Sequence, residues 1–453
     1  MRILLVYTNT NRLLSPPPIG LAYLVPPLLQ AGHEVKVIDM MFTKHRLREL
    51  ERAFLEFRPD AVGFSIRNLD NHEMRNPDDP LPAIKQYVAA ARSHGIPTIL
   101  GGMAFSTTPK AMLKYMDAEY GIAGQGETSL PLLLQCIASR SFDPGIAGLV
   151  WQQDGQILAN ESTTLGFKSK HPDWSYFTLS KYKKAMFPAP VTVKTGCRFN
   201  CLYCDTPVLC DRRVVPRDID AILSDIRDVT TRVGTNRVYL IDPCLSHPIE
   251  FAKELFRSII RERLRIRIGG NLEPARGCYD EELFELYSRA GGGFALLGCE
   301  SLSDTMLQQY RKPFTVEDVR QWSKMARKAG LRFGLQLLFG GPGECETTVN
   351  ETLALLPEID FSLLLHGIGI RIYPGTPIQE IAIRQGILQR DDTLLFPRFY
   401  VSKQLDFQWA EARVRKVTRR YAWRTLRLLP MVSSLLLSRL ARIRLSPPER
   451  VVC

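Results

Sequence analysis

Three cysteines stand within eight residues, Cys197, Cys201 and Cys204, in the spacing C-x3-C-x2-C. Thiolates are soft ligands, so three on one short stretch point to a soft metal ion or an iron–sulfur cluster. A closed structural zinc site takes four ligands, and Cys210 or Asp205 is near enough in sequence to be the fourth. A four-iron cluster held by three cysteines instead keeps one iron open to a small molecule. The count of three, directly after an apolar strand at 191–194, favours the open cluster. The other cysteines, at 136, 210, 244, 278, 299, 345 and 453, form no second tight cluster. Ten in 453 residues are too dilute for a disulfide scaffold.

The elements around this loop read as two α/β series. Strands are expected at 3–7, 33–39, 61–66 and 98–100, with helices at 21–31 and 81–94. That alternation predicts a doubly wound, Rossmann-like parallel sheet, with ligands gathering at its carboxyl edge near Thr8, Arg67 and Gly101. A second series has strands at 191–194, 237–241, 265–269, 295–297, 332–338 and 367–372. Six such units are too few for an eight-fold barrel and fit an open, partial (β/α)6 TIM-type barrel. The expected organisation is a Rossmann-like domain at 1–145, a connector with short β character at 146–188, the partial barrel at 189–385, and a small helical basic region at 386–453.

The cysteine loop resembles the cluster motif of radical S-adenosylmethionine (SAM) enzymes, with Tyr203 at the aromatic position before the third cysteine. Further matches follow in order. Gly298-Cys299-Glu300-Ser301 is similar to that family's G-x-E-S segment, Gly340-Gly341-Pro342-Gly343-Glu344 to its G-x-P-G-E turn, and Tyr373-Pro374-Gly375-Thr376-Pro377 to its Y-P-G-T-P turn. The resemblance implies a catalytic [4Fe-4S] cluster on Cys197, Cys201 and Cys204. Its open iron would bind SAM, and a one-electron donor such as flavodoxin or ferredoxin would drive cleavage to a deoxyadenosyl radical. It also implies SAM contacts from Tyr203, Glu300, Gly340, Gly341 and Arg371. Two positions depart from the pattern. A Gly-Gly-Glu near the second strand is replaced by Ile241-Asp242-Pro243, making Asp242 the substitute, and the usual Thr after G-x-P-G-E is Cys345.

Pro17-Pro18-Ile19-Gly20, Ala31-Gly32-His33, Gly101-Gly102 and Gly124-Gln125-Gly126-Glu127 resemble the domain that precedes the barrel in the cobalamin (B12)-binding subgroup. The likeness implies cobalamin contacts from Pro18, Gly20, Ser65, Arg67, Gly101, Gly102, Gly126 and Glu127. The D-x-H-x-x-G motif that supplies an axial histidine is absent, its place taken by Thr8-Asn9-Thr10-Asn11-Arg12. His33 and His94 sit at helix ends and read as structural. The 65–71 segment is similar to one methyltransferase branch of the subgroup, in which an arginine faces the lower side of cobalt. A cation there would discourage axial ligation. The plainer alternative pairs Arg67 with Asp70 or Asp60 on a surface loop.

Composition bounds the remaining readings. The chain is 45% hydrophobic and 23% charged, which excludes long disorder. No run of 18 uncharged apolar residues occurs and the N-terminus lacks a signal-peptide pattern, so a cytoplasmic protein is expected. Of the net charge of +12, +9 lies in residues 411–453. Arginines among leucines at 421–445, interrupted at Pro430, read as an amphipathic helix that lies on the inner face of a membrane or docks on the barrel; Trp409 and Trp423 suit both, and nucleic-acid contact is disfavoured. The expected activity is C-methylation of an unactivated carbon in a small-molecule or lipid substrate, using SAM and methylcobalamin. Radical cyclisation, rearrangement or C–C coupling is the alternative. A tRNA methylthiotransferase would carry three further N-terminal cysteines, where this chain has only Cys136.

Overall fold

A computed structural model describes residues 1–11, 17–162, 171–184, 188–210 and 212–422. Its first sheet orders its strands β2-β1-β3-β4-β5-β6-β7. Strands β1 (Arg2–Tyr7), β2 (Glu34–Asp39), β3 (Ala61–Ser65), β4 (Thr98–Gly101) and β5 (Tyr120–Ile122) run parallel. Strands β6 (Leu149–Gln153) and β7 (Gln156–Ala159) add an antiparallel hairpin at the edge. Its turn, Asp154-Gly155, has φ of 49° and 76°, the doubly positive pattern for which Asp-Gly is suited. The short β character expected in the connector is thus part of the first sheet, which runs past residue 145.

The second sheet has six parallel strands in sequential order: Ala189–Thr192, Arg237–Ile241, Arg267–Leu272, Gly292–Glu300, Arg332–Phe339 and Leu363–Ile368. This is the open partial barrel. The last strand stops before the expected residue 372 because Gly369 takes φ +87°; Ile370–Arg371 then pairs antiparallel with Phe399–Tyr400. Helices between the strands pack their apolar faces outside the sheet, as where Trp322 meets Phe284 and Phe333 edge-on at 5.3 and 4.9 Å.

Polar contacts between large buried groups dock the two sheets. Asp225, on helix Ile219–Val233 of the barrel, accepts from Arg217 (2.8 Å) and from Tyr23 of the first domain (3.4 Å), and meets His171 of the connector at 2.7 Å. Tyr182 donates to Asp39 at 2.6 Å. Helix Phe407–Thr418 buries Ala410 and Val414 against the barrel, and Trp409 packs partly on the same core. Among the described residues no helix is long and apolar enough to cross a membrane. The basic stretch from 423 onward, with Trp423, lies outside the described residues.

Two glycines at the first sheet's ligand-facing edge differ in what they permit. Gly102 has φ +96°, and a Cβ there would meet the Ile66 carbonyl at 2.5 Å; a Cβ on Gly20 would meet nothing within 4 Å. Gly102→Ala is therefore expected to destabilise the chain by about 2 kcal/mol or more, while Gly20→Ala is neutral or stabilising by up to ~1 kcal/mol. Thermal and denaturant melts of the two variants beside the parent check this; equal midpoints would contradict it.

Candidate functional site

The cysteine loop is pinned from two sides. Leu202, buried between the second and third cysteines, donates its N–H to the Tyr310 carbonyl (3.0 Å) and accepts from the Ile378 N–H (3.1 Å). Gly196 enters the loop with φ +81°, and a Cβ there would overlap the Arg213 carbonyl. Burial pushes the thiols up, Cys197 to about 11 and Cys201 to about 12, and raises Cys204 as well. Thiols so placed ionise only against added positive charge, which bound iron supplies. Among the described residues no three His, Cys, Asp or Glu side chains converge as a single metal ion requires. Thiolates that each hold a different iron of a cluster need no such convergence. The donor set therefore fits a cluster on three cysteines.

Buried charge lies beside this loop. Lys312 pairs with Glu300, the two side chains 4% and 11% exposed, and donates to the Gly298 carbonyl at 2.8 Å. Its ammonium stands 5.8 Å from the Tyr203 ring centroid, and Tyr203 meets Tyr310 edge-on at 6.0 Å. Burial alone would lower the Lys312 pKa, yet the Glu300 carboxylate and its neighbours hold it well above the ordinary value. A Cβ on Gly298 would find Glu273 Oε1 at 3.1 Å, Glu300 Oε1 at 3.4 Å and Gln336 Oε1 at 3.8 Å, so polar side chains from three neighbouring strand units converge over one glycine. Burial pushes Glu273 up to about 8, Lys312 opposing, so its carboxyl holds a proton at neutral pH. Glu273, Gln336 and Lys312 are absent from the sequence-derived site. The position of Glu273, directly after the third strand, is the one signal that could have flagged it.

Two residues expected at SAM are occupied elsewhere. Asp242 is buried and ion-paired with Lys194, both side chains 1% exposed, and also accepts from the Cys244 N–H at 2.8 Å. Lys194 completes its shell on the Cys244 carbonyl (2.7 Å). Arg371 is paired with Asp70 of the first domain at 2.7 Å, their side chains 3% and 0% exposed. Gly340 and Gly341 give their N–H groups to Glu344, and a Cβ on Gly341 would strike the Tyr310 ring, so both glycines build the turn.

The opposite wall comes from the first sheet's carboxyl edge. Thr8 donates to the Ser65 carbonyl through its N–H (3.2 Å) and hydroxyl (2.9 Å), and the Ile66 N–H donates to the Gly101 carbonyl (2.8 Å). Arg67 lines a cleft with Thr8, Asn9, Asn11, Asn68 and Asp78. Of the partners suggested for Arg67, Asp70 lines the same cleft and also pairs with Arg371, and Asp60 accepts from the Arg2 N–H at 2.6 Å. Pro18 caps helix Ile19–Gln30 through its carbonyl, which accepts from Leu21 and Ala22. Gly20 opens on free space, whereas a Cβ on Gly101 would rest in ordinary contact with the Ile122 carbonyl at 3.8 Å. Gly102 and Gly126 instead admit protein, the Ile66 backbone and the Leu24 side chain. Glu127 is half-buried, and burial raises its pKa. The polar lining of this cleft suits a polar ligand, and Gly20 has open space beside it.

Comparison with known proteins agrees with both walls. Residues 8–134 match the family described as B12 binding domain, and residues 191–356 the Radical SAM superfamily. The chain is a B12-binding radical SAM protein. The cofactors of this B12-binding radical SAM protein are accordingly a [4Fe-4S] cluster, SAM and cobalamin. It is 22% identical over 399 residues to an uncharacterised methyltransferase of Pyrococcus horikoshii, covering 86% of this chain and 84% of that one. It is 24% identical over 404 residues to the hopanoid C-3 methylase of Methylococcus capsulatus, covering 84% and 71%. Its fold matches that of the radical SAM methyltransferase TsrM of Kitasatospora setae, with a TM-score of 0.77, 23% identity and coverage of 85% and 76%.

Two outcomes follow for the radical SAM half. Lys312→Met strands Glu300 as a buried charge and should cost about 3–5 kcal/mol in a denaturant melt, while Lys312→Arg should cost less. Burial raises Glu344 to about 7, so the folded chain holds a proton there that the unfolded chain releases near 4.5. Its contribution is present below pH 4.5 and lost as pH rises through 7. Melting midpoints followed from pH 4.5 to 7 should therefore fall less steeply in Glu344→Gln than in the parent.

Proposed function

We propose that this protein is a cobalamin-dependent C-methyltransferase that moves a methyl group derived from SAM to a carbon of a small-molecule or lipid substrate. The observation that carries this reading is the direct contact between the loop after β3 and the turn after the last barrel strand, made by Asp70 with Arg371 and by His72 with Tyr373. The Tyr373 hydroxyl meets His72 of the first domain at 3.0 Å, and burial raises its pKa. The names of the methylases to which the chain is similar favour methyl transfer over cyclisation.

When bound, the cluster and SAM supply radical initiation, and the corrin supplies a transferable methyl group. The chain's own residues hold and shield these partners. Glu273, Glu300 and Lys312 lie beside Cys201 and are the groups we assign to the ammonium and carboxylate of SAM, whose binding would exchange the Lys312–Glu300 pairing for contacts with the ligand. Tyr203 and Tyr310 close the loop behind Cys201 and Cys204 with aromatic surface, which keeps water from the thiolates. Arg67, Ser65 and the 8–11 loop would hold the corrin and set a cation beside it, with Pro18, Gly20, Gly101, Gly102, Gly126 and Glu127 as the further residues assigned to that ligand. A one-electron donor of flavodoxin or ferredoxin type, and contact of the Arg-rich 423–453 stretch with an anionic membrane face, complete the reading.

Anaerobic purification with cluster reconstitution, followed by gel filtration, should leave about one cobalamin per chain. SAM carrying a deuterated methyl group should then yield a mass-shifted product from a hopanoid or indole substrate panel. Retention of SAM cleavage with no cobalamin and no labelled product would refute methyl transfer and favour cyclisation or coupling. Arg67→Ala should retain cobalamin while shifting its visible spectrum; an unchanged spectrum removes Arg67 from the lower face.

A further inference from the structure

The loop that follows β3 does more than carry Arg67. It reaches out of the first domain and grips the last turn of the barrel at three successive points. Asp70 is fully buried; its Oδ2 accepts from Arg371 Nε at 2.7 Å, and its Oδ1 accepts from the His72 N–H at 2.8 Å. His72 meets the Tyr373 hydroxyl, and Met74 lies so close over Gly369 that a Cβ there would meet its sulfur at 2.5 Å. Arg371 in turn donates to the carbonyls of Ile372 and Leu394 and stacks its guanidinium over the Tyr373 ring at 5.0 Å. Leu394 begins a segment whose next residue, Leu395, is buried in the core of the first domain. Every donor group of Arg371 is thereby directed at the seam between the domains.

We infer that the Asp70–Arg371 pair is a latch that positions the corrin-side loop against the barrel, so that Arg371 is a positioning residue for cobalamin and not a contact of SAM. An arginine fits this role because its planar fork serves three acceptors at once, and a buried ion pair losing one partner leaves an uncompensated charge that must find water. Arg67 stands three residues before Asp70, so loosening the pair frees the lower-face loop. The cysteine loop has its own anchors on Tyr310 and Ile378 and should be unaffected. The inference rests on cobalamin binding to the first domain.

The full chain is tested as Arg371→Met, Asp70→Asn, the double variant and the conservative Arg371→Lys. Hydrogen exchange on the unloaded protein reads the latch directly: peptides covering 67–75 and 369–375 should exchange at least tenfold faster in all but Arg371→Lys, which should lie between. Cobalamin retained through gel filtration should fall several-fold in each single variant, with the double variant no worse than either. SAM affinity of the cluster-loaded chain should stay within about twofold of the parent. Loss of SAM affinity in Arg371→Met but not in Asp70→Asn, with cobalamin retained, would overturn the inference and return Arg371 to the SAM site. Unchanged exchange at both segments would overturn it as well. Failure of the parent to bind cobalamin would instead strike the proposed function, because the exchange measurement needs no cofactor.

Discussion

Two charges removed from water join the halves of this molecule, and the placement of its functional groups depends on that junction. Asp70 and Arg371 are 301 positions apart in sequence, and both side chains are almost wholly buried. Burying an ion pair seldom adds net stability, because desolvation offsets the attraction. What such a pair supplies is a single permitted arrangement: a slipped interface would leave a bare charge in an apolar seam. The same logic governs Asp225, which collects Arg217, Tyr23 and His171 from three different parts of the chain. Apolar packing presses the two sheets together, and these polar nodes set how their carboxyl edges face.

That orientation matters because each sheet can present only one edge to a ligand. In the first, the loops after β1, β3 and β4 are knitted by backbone hydrogen bonds through Thr8, Ser65, Ile66 and Gly101. In the second, the loop after the first strand is tied to Tyr310 and Ile378, which belong to later units. Each wall is therefore stiff by itself. The remaining freedom is the distance and angle between walls, the quantity on which transfer between two bound groups depends most steeply.

The sequence disclosed what is local and periodic. The cysteine spacing, the glycine turns and the alternation of strands with helices each occupy a few contiguous residues, and both domain types are legible from them. Long-range partners were not. Nothing near Arg371 in the sequence marks Asp70 as its partner, and nothing near Asp242 marks the buried Lys194. Lys312 is a single charged residue in a loop, indistinguishable in sequence from a solvated one, and Glu273 is marked only by its place directly after the third strand; closure of the barrel brings both to Gly298. The glycines divide in the same way. Gly20 faces open space, whereas Gly102 and Gly341 admit a neighbouring backbone and a tyrosine ring.

The pairing of Asp242 and Arg371 within the protein changes the charge available to a ligand. SAM carries both an ammonium and a carboxylate, so its cradle needs an acceptor and a cation near the open iron. With Asp242 paired to Lys194 and Arg371 to Asp70, the titratable groups beside Cys201 among the described residues include Glu273, Glu300 and Lys312, drawn from the third and fourth strand units. These sit in a low-dielectric interior where one net charge is felt strongly. Burial keeps the proton on Glu273, with Lys312 opposing; an arriving ammonium would add positive charge that favours its release. The site is thus closest to electroneutral before the ligand enters and again once the ligand's ammonium replaces that proton, which explains how two carboxyls and one lysine are tolerated in so little space.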